Sequence, residues 1–296
     1  MGGVEAVTNS VAVSSAATTA IGRFRHSAVP FVGPLIVLIV LGFNIPILLI
    51  FNYSISGPHG FTLAVYQDIL TTPVFLKVVG NTFRITIITT AVVATFGYVL
   101  AYWITGLTPR LRNVALAMVV LSFWVSVLVR TYAWIVVLGN AGLVNRFLQW
   151  SGLRDAPIAF LYNDLGVIIG MANIQLPLLV LPLYAAMTRI DPRHMQAAAS
   201  LGASESVIFW KVFFPQTVPA LLSGVMLVVI LCLGFYVTPA ILGGGRVPMV
   251  ANMLDTYINS NPKWELASAV SMVLLIFTLI LFGIYRRLDA RAGGEA

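Results

Sequence analysis

The sequence predicts an all-α integral membrane protein of about six transmembrane helices with a helical hairpin on the cytoplasmic side. Three observations lead there. Hydrophobic residues make up 59% of the 296-residue chain and charged residues only 9%, with a mean hydropathy of +0.95, whereas soluble domains carry about a quarter charged residues. Apolar runs of about 20 residues recur, the length that crosses a bilayer core of about 30 Å at about 1.5 Å per residue. One moderately polar stretch, Asp191 to Pro219, interrupts the second half.

Residues 1–28 are rich in Ser, Thr and Ala and end with Arg23, Arg25 and His26; they read as a weakly ordered cytoplasmic tail. The first span, Val29 to Phe51, is longer than the apolar core of a cleavable signal and has no small-residue cleavage site after it, so it should stay as an anchor. Five more follow at Asn81–Ile104, Asn113–Leu138, Leu165–Met187, Val218–Leu242 and Leu266–Tyr285. The transmembrane domain therefore runs over 29–288, and 289–296 form a second cytoplasmic tail. Turn signals such as Ser56-Gly57-Pro58, Gly139-Asn140 and Gly243-Gly244-Gly245 mark the outer loops, where Val65–Leu70 and Met249–Ile258 can form short surface helices.

Six crossings put both termini on one side, and the basic residues choose it. Arg23, Arg25, Arg110, Arg112, Arg189, Arg193, Lys211, Arg286, Arg287 and Arg291 lie at the termini and in the even-numbered loops. Only Lys77, Arg146, Arg154, Arg246 and Lys263 lie in the odd-numbered ones. Both ends are accordingly expected in the cytoplasm, together with the loop 188–217. The net charge of +7 is used up in this topology; it forms no stripe or aromatic-interleaved patch suited to nucleic acid.

That loop reads as two short helices meeting at a glycine. Asp191 can cap the first and Pro192 suits its opening position. Gly202 can take positive φ and turn the chain, Ser204 can start the second helix, and Pro215 should limit its run. Ala197, Ala198 and Ala199 leave one face open to close approach. The order Gln196-Ala197-Ala198, three residues, Gly202, nine residues, Val212, one residue, Phe214-Pro215 resembles the signature loop of permease subunits of ATP-binding-cassette importers. In that family the pattern is Glu-Ala-Ala, then Gly, then Ile and Leu-Pro at the same spacing; here Gln196, Val212 and Phe214 replace Glu, Ile and Leu. The resemblance implies that Asp191, Gln196, Ala197, Ala198, Gly202 and Pro215 form a coupling helix hairpin seated in a cleft of an ATPase subunit.

No enzyme site is visible. The chain lacks a phosphate-binding loop of the form Gly, four residues, Gly-Lys-Ser/Thr, and His26, His59 and His194 show no metal-ligand spacing. The single cysteine, Cys232, sits in an apolar run and reads as a packed thiol. None of the ten acidic residues falls inside a proposed span. Ion-driven carriers commonly rely on intramembrane ionisable groups, so an ion-coupled secondary carrier is the less favoured alternative.

Two charges do enter the spans. Arg84 lies near the outer end of the second and can snorkel. Arg130 lies deeper in the third, where it either bonds a neighbouring helix or gates a pathway; at a span centre it costs about 2.5–3.5 kcal/mol on insertion scales. Tyr132 and Trp134 either anchor the outer interface or face the path. Trp124, Phe235 and Tyr236 lie deeper, where aromatic faces can pass an organic cation. Asn173 and Gln175 either bond a neighbouring helix or line the path.

The run Phe123 to Trp134, and Gly234 to Gly244 with its Phe235-Tyr236-Val237-Thr238-Pro239 core, look like the spermidine/putrescine and opine branch of these permeases, as do Asn81-Thr82 and Gly97 to Ala101. Some members have Gly-Asp-Phe where this chain has Gly234-Phe235-Tyr236. The resemblance implies a second permease subunit, two ATPase subunits and a periplasmic solute-binding protein. It also implies that ATP and Mg are bound by the ATPases and that this chain carries no cofactor.

Overall fold

The computed structural model describes residues 32–57 and 60–293, so the tail 1–28 lies outside the described residues. Six helices or helix runs are long and apolar enough to cross a membrane. The first, α1 (Val32–Ile55), is exposed along almost its whole length. A two-stranded ribbon, β1 (Ser56–Gly57) with β2 (Gly60–Phe61), leads to the surface helix α2 (Ala64–Thr71). The α2 helix ties back to α1 by the Tyr66 hydroxyl donating to Ser54 Oγ at 2.7 Å.

The second crossing, α3 (Pro73–Thr105), starts eight residues before the expected Asn81 because Pro73 opens it at its first turn. The third differs in kind. The expected continuous span Asn113–Leu138 is two helices, α4 (Pro109–Trp124) and α5 (Val127–Leu138), separated by Val125, which is extended, and Ser126, which is non-helical. β-Branched Val125, Val127 and Val129 around a serine weaken the helix there, and a hydropathy count does not register backbone preference. After α6 (Leu143–Trp150), which is part of the third membrane-length run Val127–Trp150, comes the fourth, α7 (Asp164–Met187), capped by Asn163, whose side chain accepts from Gly166 N at 3.1 Å.

The expected fifth span Val218–Leu242 is likewise divided. Helix α10 (Phe214–Leu233) ends at Gly234, and α11 (Val237–Leu242) begins after Tyr236. Pro239 explains the restart. In a continuous helix its ring would meet the carbonyl four residues back, whereas in the first turn of a new helix no N–H is required of it. The chain then passes α12 (Val250–Asp255) and a π turn (Thr256–Ser260) and returns through α13 (Trp264–Gly293). That last helix carries on past residue 288, where the sequence placed the start of a tail.

The core is a three-helix pack of α3, α7 and α10. Leu179 of α7 is fully buried between two glycines: a Cβ at Gly97 would lie 2.5 Å from Leu179 Cδ2, and one at Gly224 would lie 3.0 Å from Leu179 Cδ1. Where lipid tails remove the hydrophobic drive between helices, small residues let backbones close and dispersion hold them.

Candidate functional site

On the elbow side, Asp191 Oδ1 accepts from Arg193 N at 2.9 Å and starts α8 (Pro192–Ser200). Gly202 takes φ +81, which turns the chain into α9 (Glu205–Ile208). The expected stop at Pro215 does not occur. A π turn, Phe209–Phe213, joins α9 to α10, and Phe214 N bonds back to Phe209 O five residues away. The wider turn changes the local bonding register ahead of Pro215, so the second arm of the elbow continues into the fifth crossing. Gln196, Ala197 and Gly202 are exposed and Ala198 is half-buried; Leu201 and Trp210 beside them are exposed apolar side chains.

Aromatic rings fasten this elbow to the C-terminal end of α3. Tyr102 meets Phe209 and Phe213 with ring centroids 5.2 and 5.4 Å apart, and Tyr98 meets Phe214 at 5.5 Å. The Tyr98 hydroxyl also shares a hydrogen bond with Thr217 Oγ1 at 3.1 Å. Edge-on and tilted pairs of this kind are worth about 0.5–1.5 kcal/mol each beyond their burial.

The two helix breaks are joined. Helix α5 packs on α11, and the hydroxyls of Thr131, one turn into α5, and Thr238, in the first turn of α11, lie 3.3 Å apart. Helix α7 admits α11 closely at Gly170, where a Cβ would lie 2.5 Å from Leu242 Cδ1. Trp124 and Tyr132 flank the first break and are strongly exposed; Phe235 and Tyr236 form the second, half-buried and exposed. Arg130 is half-buried, and its Nε and Nη1 are sheltered without a hydrogen-bond partner among the described residues.

The remaining expected residues sit elsewhere. Gln175 is buried in the core and donates from Nε2 to Cys232 Sγ at 3.6 Å, so it ties α7 to α10. Asn173 is half-buried. Arg84, expected to snorkel, instead pairs with Asp164 at the start of α7 and donates to Asn81 Oδ1 at 3.1 Å. Asp164 is 80 residues from Arg84 in sequence, so the ion pair is not legible there. His59 lies outside the described residues.

The family model for "Binding-protein-dependent transport system inner membrane component" matches residues 94–294. The chain belongs to this family. It is similar to the spermidine/putrescine transport system permease protein PotB of Haemophilus influenzae, 34% identical over 215 residues, covering 73% of this chain and 75% of that protein. The PotB of Escherichia coli is 29% identical, with 77% and 82% covered, and the inner membrane ABC transporter permease protein YdcU of Escherichia coli is 26% identical, with 81% and 80% covered. Among solved structures, the bacterial ABC transporter that imports alginate shares the fold at TM-score 0.72 and 14% identity over 88% of this chain and 94% of that one. The permease is thus a multi-pass bacterial inner membrane protein and a membrane subunit of an ABC importer.

Proposed function

We propose that this permease pairs with a second permease subunit to form the path for a small organic amine, a polyamine or a close relative, delivered by a periplasmic solute-binding protein. Two ATPase subunits bind ATP and Mg and dock below; the chain itself carries no cofactor. Both termini and the elbow lie in the cytoplasm. The likeness to the spermidine/putrescine permeases supports the solute class, and the excess of basic residues at the termini and even-numbered loops supports the orientation.

The observation that carries the reading is a continuous mechanical route from the elbow to the helix breaks. Closure of the ATPases moves α8 and the turn at Gly202. The elbow drags α3 through the rings of Tyr98 and Tyr102, and α10 through the unbroken π turn. Movement of α10 shifts the Gly234–Tyr236 break, and the Thr238–Thr131 contact passes that shift to α5 and Arg130. Trp124, Arg130, Tyr132 and Tyr236 then face the path alternately to each side, with Phe235 behind them.

Reconstitution tests this directly. Uptake of labelled spermidine into proteoliposomes should require ATP, the ATPase and the loaded binding protein, and should survive collapse of ion gradients. Uptake that follows an ion gradient with the ATPase absent would establish a secondary carrier instead.

A further inference from the structure

Two cavities adjoin on the outer side, sharing Val74, Val78, Gly245 and Pro248 in their walls, and their charges are opposite. The larger, about 670 Å³, is lined by Lys77, Arg84, Arg246 and Asp164. Arg84 is neutralised by Asp164, which leaves Lys77 and Arg246 without a carboxylate partner among the described residues. The smaller, about 480 Å³, contains one charged group, Asp255, among Tyr236, Tyr257 and Asn252. Both volumes are within the range of small-molecule sites.

Asp255 is held in place without being neutralised. Asn259 Nδ2 donates to its Oδ1 at 2.7 Å, and no Lys or Arg among the described residues pairs with it. Tyr236 lines the same cavity. Asn252 Nδ2 donates to the Tyr236 carbonyl at 3.2 Å, so the cavity reaches from the outer helix α12 to the break between α10 and α11. A carboxylate with two phenol rings and no resident cation offers an ammonium group both an ion pair and π-faces. The neighbouring cationic lobe repels the same ligand, so a positively charged solute is directed to one side of the mouth.

We propose that Asp255, with Tyr236, Tyr257 and Asn252, forms a receiving site for the ammonium group of the solute at the outer mouth of the path. The site deepens the amine reading above and rests on it. It supplies from α12 the carboxylate that Gly234-Phe235-Tyr236 lacks.

The test uses the complete complex in proteoliposomes, with labelled putrescine and spermidine and with rates normalised to assembled complex. Asp255→Asn should lower uptake of both amines at least tenfold while stimulation of ATP hydrolysis by the loaded binding protein persists, and Asp255→Glu should recover most of the rate. Unchanged uptake in Asp255→Asn overturns the site. Equal loss of uptake and of ATPase stimulation in both variants also overturns it, because Asp255 would then serve docking of the binding protein or the fold. Wild-type complex that imports neither amine overturns the amine reading together with the site, whereas amine import that is indifferent to Asp255→Asn overturns the site alone.

Discussion

Arg130 concentrates the functional question at the scale of single residues. A guanidinium retained for helix packing spends its donors on neighbours, yet Nε and Nη1 here are sheltered and unpartnered among the described residues. Removing an unsatisfied buried polar group does not destabilise in the way that breaking a pair does. Arg130→Met should therefore leave the thermal midpoint of the solubilised complex unchanged or higher while uptake falls about tenfold, a loss of about 1.4 kcal/mol in the rate-limiting step. A large fall in the midpoint, with uptake per folded complex intact, would make Arg130 a packing residue. Gly97 poses the opposite case, because its lack of a side chain is what Leu179 occupies. Gly97→Leu should cost about 1–3 kcal/mol by overpacking. Thermal denaturation of Gly97→Leu, Leu179→Ala and the double variant should show the double losing less than the sum; strict additivity would mean that the two do not share that space.

At the scale of elements, the elbow works as a lever only if it is stiff and fastened. Gly202 at φ +81 tolerates no proline, whose ring holds φ near about −65°. Gly202→Pro should abolish uptake while the protein still reaches the membrane, as membrane fractionation and transport assays would show; normal transport would remove the elbow from the mechanism. The aromatic fastening makes a finer prediction. Residues along a coupling route shift it by about 0.5–2 kcal/mol, so Phe209→Ala with Phe213→Ala should cut uptake about two- to thirtyfold while ATP hydrolysis continues. Parallel loss of both would mean that the rings only hold the fold. The elbow itself was legible in the sequence because its signals are local: a cap at Asp191, proline at the first turn, and glycine where φ must be positive. The helix breaks were not. Hydropathy counts transfer energy, and the runs around Val125 and Gly234 are apolar whether or not the backbone is helical; the valines around Ser126 and the Pro239 spacing were the available clues.

For the whole molecule, the six membrane-length runs and the two short helices α2 and α12 were readable from run lengths and turn residues. What joins distant segments was not, since Arg84 to Asp164, Thr131 to Thr238 and Asp255 to Tyr236 are separated by stretches that only the packed helices bring together. In the sequence Asp255 is one acid among several outside the spans, and its place on the expected surface helix Met249–Ile258 is the one signal that singles it out. The central claim is that the exposed elbow is where the ATPase drives the membrane helices. Cross-linking tests it most directly: Ala198→Cys, with Cys232 buried, is treated with a short thiol-to-amine cross-linker in inside-out vesicles holding the whole importer. An adduct between the permease and the ATPase, formed with a reagent that cannot cross the bilayer, is the predicted result. Modification of that position only from the periplasmic side, or its full labelling with no ATPase adduct, would contradict the account.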